Sequence, residues 1–282
     1  MAGLTFGVTG ANGFAGSRIA ALLAKHGEVR EITRHQPYRF VLGEPIDPQI
    51  LAGVDVLVHC AWDFRARSWR EVQRVNVAGS LALFDAARET NVGRVIFISS
   101  MTAFEGTKSK YGRGKLAVER RAAQHHPAVA IMRPGLLYEA QGAGIFGAMQ
   151  RVVAKAPVVP LIAGGQEFYT CHTEDLAKAV LELAMGPLPD APVVAAEPVA
   201  RTLREILATT AAAAGRSPRF VPVPYQAAYW GLRLLEALHV PTRLRSDSII
   251  GLVNNDPAPR FGGLQTTFRA FSVAAIRGTD AG

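Results

Sequence analysis

The stretch Gly7-Val-Thr-Gly10-Ala-Asn-Gly13-Phe-Ala-Gly16 limits what this chain can fold into more than any other. Before it runs Leu4-Thr-Phe-Gly-Val-Thr9, apolar and of the length of a short buried strand; after it, Ser17-Arg-Ile-Ala-Ala-Leu-Leu-Ala-Lys25 has the spacing of a helix. Between a strand and a helix, glycine permits a tight turn and lets backbone N–H groups come close to a pyrophosphate, and Gly16 lets helix and strand lie together. The start of the helix adds partial positive charge at the same point. Thr9 and Asn12 can tie the turn down through their side chains. The segment therefore reads as a dinucleotide-binding turn, with Gly10, Asn12, Gly13, Phe14, Ala15 and Gly16 as its cofactor-binding residues.

Downstream, apolar runs predict strands over 28–33, 39–42, 55–60, 94–99 and 128–133, and helical spacing covers 69–90 and 110–124. Strands alternating with helices imply an α/β fold, a Rossmann-like doubly wound parallel sheet with right-handed crossovers. Beyond Pro134 the rhythm breaks. Proline and glycine cluster in 156–165 and 186–192, with helices expected near 174–185, 202–214 and 225–238. Residues 1–165 are expected to form the dinucleotide-binding domain, with 170–185 returning to it. Residues 186–282 should form a smaller, mainly helical substrate-binding portion over the carboxyl edge of the sheet.

A composition of 49% hydrophobic and 19% charged residues excludes wholesale disorder. Two cysteines, Cys60 and Cys171, exclude a disulfide framework and a four-cysteine zinc site, and they suit a reducing compartment. His125-His126 have no acid or cysteine beside them in sequence, so no metal is expected. The amino terminus shows neither a basic nor an apolar leader region, and no run of about eighteen apolar residues exists, so a cytoplasmic protein without a membrane span is expected. Of the net charge of +8, residues 201–282 supply +5, with ten arginines, no lysine and five acids. Such a surface can receive an anionic substrate or simply be solvated. Nucleic acid is not an expected partner, because no basic run carries interleaved aromatics.

Arg34 stands where a dinucleotide fold often places an acid on the adenosine ribose. Arginine there suits a 2′-phosphate and favours NADP over NAD, although Glu31 can also reach the ribose. Ser99-Ser100 ends the predicted strand at 94–99, and Tyr111 and Lys115 follow four residues apart on one helix face. A phenol has an ordinary pKa of about 10, too high for a base at neutral pH, and a neighbouring ammonium is expected to favour the phenolate and make the tyrosine a usable acid/base. A serine hydroxyl beside it can hold a carbonyl or alcohol during hydride transfer.

These features together resemble the extended short-chain dehydrogenases/reductases of the NAD-dependent epimerase/dehydratase family, closely over residues 4 to about 185 and loosely beyond. The resemblance rests on Thr9-Gly-Ala-Asn-Gly-Phe-Ala-Gly16, Asp55-Val-Leu-Val-His-Cys-Ala61, Asn76-Val-Ala-Gly-Ser80, Ser99-Ser100, Tyr111 to Lys115, Arg133-Pro-Gly-Leu-Leu-Tyr138 and Tyr169-Thr-Cys-His-Thr-Glu-Asp-Leu176. It implies that Ser100, Tyr111 and Lys115 are catalytic, with Ser99 or Thr102 as alternative hydroxyls. Tyr111, Lys115 and Ser99 would also face the cofactor, as would Ala61, Trp62, Asn76, Pro134, Gly135 and Leu137. Asn76 would brace the middle of the sheet, and His59 reads as a packed histidine.

Three departures stand out: Met101 replaces a third Ser or Thr, Glu105-Gly106 replaces a Tyr-Gly pair, and the stretch from Ser100 to Tyr111 is short. The resemblance implies a nucleotide sugar as substrate, epimerised or reduced, with Arg151, Lys155, Arg201, Arg243 and Arg245 available for its diphosphate. Dehydration ranks lower, since only Glu105 offers an extra acid near the serines. A small hydrophobic ketone is the other substrate class, given the apolar stretch around Tyr225, Tyr229, Trp230, Leu234 and Leu238. That stretch reads as an amphipathic helix, either a packed lid or subunit contact, or a membrane-facing element together with Arg233, Arg243 and Arg245. A homodimer through helices 69–90 and 110–124 follows by analogy. A non-catalytic NAD(P)-binding sensor or assembly protein is the competing function.

Overall fold

A computed structural model describes residues 3–238 and 246–279. The first half alternates strand and helix: β1 (Leu4–Thr9), α1 (Phe14–Leu23), β2 (Gly27–Ile32), β3 (Val56–His59), then a helix in three pieces. Those pieces are α2 (Trp69–Glu71), a π-helical segment (Val72–Val77) and α3 (Ala78–Glu89). β4 (Arg94–Ile98), α4 (Lys110–His125) and β5 (Val129–Pro134) follow. After β5 come β6 (Leu136–Tyr138), α5 (Gly144–Lys155), β7 (Val158–Ile162), β8 (Glu167–Phe168), β9 (Thr170–His172), α6 (Thr173–Met185) and β10 (Val193–Ala195). The remainder is β11 (Arg201–Thr202), α7 (Leu203–Ala213), β12 (Arg219–Val223), α8 (Tyr225–Ala237), α9 (Ser246–Val253) and α10 (Val273–Arg277).

Six strands form one parallel sheet in the order β10-β5-β4-β3-β1-β2. Both faces are covered, which the strands show as alternation between two cores. Val56, Val58, Ile96 and Ile98 point to the side of α1 and α6, with Ile19, Leu23, Leu176 and Val180. Leu57, Val95 and Phe97 point to the side of α3 and α4, with Leu81, Phe84 and Val118. Near-continuous apolar strands are what a doubly covered parallel sheet requires. β1 connects outward to β2 in one direction and to β3 in the other, so the order reverses between β1 and β3, where such sheets open a crevice.

The strand expected at 39–42 does not form. Thr33 and Arg39 make an isolated bridge, and beyond Leu42 the chain turns through Gly43 at φ +83°. Phe40 is buried instead against the second core, where it meets the His59 ring edge-on. β10, within the span 186–282, supplies the edge strand of the sheet beside β5. Three two-stranded pairings, β6–β9, β7–β12 and β8–β11, accompany α5, α7 and α10 around two small cores.

Candidate active site

Because every strand of the main sheet runs the same way, the residues after their carboxyl ends gather along one edge. Gly10 follows β1, Arg34 follows β2, Ala61 and Trp62 follow β3, Ser99 and Ser100 follow β4, and Gly135 follows Pro134 at the end of β5. Leu137 lies in β6, paired with Cys171 of β9.

The glycine turn is a cradle of backbone. Gly10 has φ +67°, and a Cβ on Gly16 would stand 2.2 Å from the Gly10 carbonyl oxygen. Gly13 N–H donates to that same oxygen at 2.8 Å. α1 then begins at Phe14 and Ala15 with no side-chain cap and no acid in its first turn, so its leading amides remain for an anion. Asn12, Ser17, Val29 and Glu31 line a shallow depression of about 560 Å³ along the outer side of α1, and Glu31 is thus turned to that side. Arg34 is exposed and lies near enough to Asp63 to help hold its carboxyl below the usual range, behind the larger effect of the Arg65 hydrogen bond.

α4 approaches this edge closely because Gly112 and Gly114 flank the space between Tyr111 and Lys115. A Cβ at Gly112 would fall 2.3 Å from the Thr102 carbonyl oxygen, and one at Gly114 would fall 3.0 Å from the Trp62 ring. Ser109 caps the helix by accepting from Gly112 N–H at 3.0 Å, and Asp247 of α9 accepts from Lys110 N–H at 3.0 Å.

The two serines separate cleanly. Ser99 is buried, and its hydroxyl donates to Glu119, which also accepts from Arg133 Nε at 3.0 Å. Ser100 Oγ accepts from Thr102 N–H at 3.2 Å and from Thr102 Oγ1 at 3.0 Å, and a side-chain hydrogen bond joins Ser100 to Tyr111. The hydroxyls of Thr102, Ser100 and Tyr111 thus form one chain.

Lys115 behaves differently from the expectation drawn from spacing. Its Nζ donates to the Ile98 carbonyl at 2.6 Å and sits 4.2 Å from the Trp62 ring centre, 4.6 Å from Phe97 and 6.0 Å from Tyr111. Burial pulls its pKa down to about 7, partly offset by Cys60 and Glu119. Burial pushes the Tyr111 phenol up to about 12, with the Ser100 hydrogen bond opposing. The anticipated lowering of the phenol by the ammonium does not set its pKa: burial raises it, and the opposing effect comes from Ser100, not from Lys115.

Asn76 is fully buried within the π-helical segment. It braces the loop after β3 rather than the sheet, accepting from Asp63 N–H at 2.7 Å and donating to the Asp63 carbonyl at 3.0 Å. That grip fixes Trp62 and Phe64, which stand edge-on to and stacked on Tyr111 at 5.7 and 5.6 Å. Sequence reasoning missed Phe64, although an aromatic two residues beyond Trp62 at the exit of a central strand was a visible signal. His59 is fully buried between Thr9 Oγ1 at 2.7 Å and Ser80 Oγ at 2.9 Å, and burial lowers its pKa to about 3. It is a neutral packing residue. Thr9 Oγ1 also accepts from Ala61 N–H at 3.3 Å, tying the glycine turn to the β3 exit.

Other expected residues lie apart from this edge. Glu105 is exposed and ion-paired to Arg120 on α4. Arg201 is paired with Glu197 at 2.9 Å, while Arg151 and Lys155 are exposed on α5. Arg243 and Arg245 lie outside the described residues. His125 does have an acidic partner: its Nδ1 lies 2.8 Å from Asp85, brought in from α3. No helix among the described residues is long and apolar enough to cross a membrane.

Residues 7–187 match the model of the NAD-dependent epimerase/dehydratase family. The chain is 29% identical to a ceramide reductase of Caulobacter vibrioides over 77% of its own length and 73% of that protein. An uncharacterised protein of Mycobacterium tuberculosis is 28% identical over 82% of this chain, but the match spans only 26% of that protein. Among solved structures, a Thermus thermophilus UDP-glucose 4-epimerase in complex with NAD superposes with a TM-score of 0.61 at 21% identity, covering 89% of this chain and 97% of the other.

Proposed function

Since the chain belongs to the NAD-dependent epimerase/dehydratase family, we propose that it is an NAD(P)-dependent oxidoreductase that reduces the carbonyl of an apolar substrate. The backbone cradle between Gly10 and Gly16, and the uncapped amides of α1, fit the diphosphate of a nicotinamide dinucleotide. When bound, that cofactor supplies the hydride. This chain's part is to hold the carbonyl oxygen and to give it a proton.

The observation that carries the reading is the hydroxyl chain Thr102–Ser100–Tyr111 with Lys115 behind it. Tyr111 would donate to the carbonyl oxygen, while Ser100, which accepts from Thr102 Oγ1, turns its single proton to the Tyr111 oxygen. A phenol held at about 12 keeps its proton through neutral pH, so the resting tyrosine is an acid, which suits reduction. As negative charge grows on the oxygen, the Tyr111 proton passes to it, and the chain through Ser100 to Thr102 steadies the phenolate. Lys115, balanced near pH 7, adds positive charge behind the ring.

Trp62 and Phe64 give the space beside Tyr111 an aromatic wall, which supports an apolar body next to the reacting carbon. The similarity to a ceramide reductase supports the same class. The nucleotide-sugar reading is supported by the fold likeness to a UDP-glucose 4-epimerase and by the exposed cations Arg151 and Lys155 on α5, which are available to a diphosphate.

The test is oxidation of NADPH and NADH by the purified protein with a long-chain ketone and with a 4-keto sugar nucleotide. Tyr111→Phe should lower kcat roughly 10²–10⁴-fold and leave the cofactor Kd unchanged. Cofactor binding without turnover on either carbonyl, unaffected by the substitution, would instead identify a non-catalytic dinucleotide-binding protein.

A further inference from the structure

α8 is apolar in sequence, yet none of its residues is buried. Its apolar side faces outward. Trp230, Leu234 and Leu238 are 67%, 62% and 64% exposed, and their spacing of four stacks them into one ridge. Ala227 and Ala237 are exposed on the same arc, and Leu235 on its flank. The opposite arc, with Ala228, Tyr229, Leu232 and Glu236, is only half-buried and faces α9, which packs on α8. Glu236, the one acid of the helix, is turned under and accepts from Ser246 N–H at 2.9 Å and Ser246 Oγ at 2.8 Å. Arg233 is exposed at the edge of the ridge, and Arg216 and Arg219 are exposed on the chain leading into the helix.

We propose that α8 is an interfacial anchor, whose ridge lies in the headgroup region of an anionic bilayer and brings the active site to a membrane-dissolved substrate. Charge selects this occupant. The ridge carries tryptophan and leucine, and among the described residues exposed Arg233 stands at its edge, with exposed Arg216 and Arg219 on the chain leading into the helix. A second copy of the chain, docked symmetrically, would set the same cationic rim against itself. Position agrees: α9 packs on α8 and also reaches the start of α4, where Asp247 holds Lys110 N–H beside Tyr111. A lipid entering at this face is one helix away from the phenol. The inference rests on the apolar-substrate reading for its purpose, but its measurement does not.

The experiment is co-sedimentation of the full chain with vesicles of phosphatidylcholine alone or mixed with phosphatidylglycerol. The chain should partition to the anionic vesicles roughly tenfold more strongly, and added salt should weaken this. Arg233→Gln should reduce partition by roughly fivefold, and Trp230→Glu with Leu234→Glu by tenfold or more, with thermal melts unchanged because these side chains already face solvent. The idea is overturned by absence of binding to either vesicle, or by equal binding of the double variant. A dimer in sedimentation velocity that the double variant dissociates, without vesicle binding, would assign the ridge to self-association. Tyr111→Phe should lose turnover and keep vesicle binding. Failure to bind vesicles with Tyr111-dependent turnover intact therefore refutes the anchor alone, and the converse refutes the catalytic reading alone.

Discussion

Lys115 places an ammonium where the fold least favours one, between the Trp62 and Phe97 rings with a single carbonyl to receive it. Its pKa falls from 10.5 to about 7. Below about pH 7 both folded and unfolded chains carry the proton, and the burial penalty is fully present. Between about 7 and 10.5 the unfolded chain binds a proton that the folded chain has released, so stability rises with pH across that window. Lys115→Met should therefore raise the Tm by several degrees near pH 6, gain much less near pH 10, and abolish turnover at both. Thermal melts across that range check it, and a gain independent of pH would show that the lysine does not carry this penalty. On the proposed reading, a second cation would choose between the two ribose forms of the cofactor. Arg34, exposed at the exit of β2, is the group suited to a 2′-phosphate. Arg34→Ala should weaken NADP by roughly 10–100-fold and NAD far less, measured by calorimetric titration, and equal losses would refute the NADP preference.

At the scale of elements, the turn between β1 and α1 is built so that one glycine cannot be replaced. Gly16→Ala puts a methyl 2.2 Å from the Gly10 carbonyl oxygen, a backbone atom that no rotamer can move aside. The substitution should cost roughly 1–3 kcal/mol in urea unfolding and lose measurable cofactor binding. This turn was legible in the sequence because its chemistry is local, as were β1, β3, β4 and β5, each a mainly apolar run packed into the sheet's cores. Tyr111 and Lys115 were legible for the same reason, being one helical turn apart. What depends on distant partners was not. Tyr38-Arg-Phe-Val-Leu42 has strand composition, but Phe40 serves the His59 core while Gly43 turns the chain. α5 begins at Gly144 without a capping side chain, so no start signal marks it. Ser99 and Ser100 are neighbours in sequence, and only Glu119, twenty residues onward, separates their roles.

The molecule as a whole is closed by its carboxyl-terminal segment, held across the sheet domain by three carboxylates that belong to other elements. Glu182 of α6 accepts from Thr266 N–H at 2.8 Å, Glu197 accepts from Phe271 N–H at 2.9 Å, and Asp175 of α6 accepts from Arg269 N–H at 2.9 Å. Phe271 and Ile276 then enter the small core with Tyr138 and Phe146. Of these ties the Arg269–Asp175 pair is the most consequential, because Asp175 is buried and the guanidinium meets both its oxygens, Nε at 2.9 Å and Nη2 at 2.8 Å. Removing the arginine leaves a carboxylate without its main counter-charge, and Lys178 at 3.9 Å is too distant to replace a bidentate partner. Arg269→Met should lower unfolding stability by roughly 3 kcal/mol, through a stranded charge more than through lost contact. Asp175→Asn in the same background removes that charge and should recover part of the loss, whereas an independent role for each residue would make the two losses add. Urea unfolding of the four proteins in the cycle decides between the two outcomes. Substantial recovery would establish that an ion pair, rather than the apolar contacts of Phe271 and Ile276 alone, holds the segment against α6.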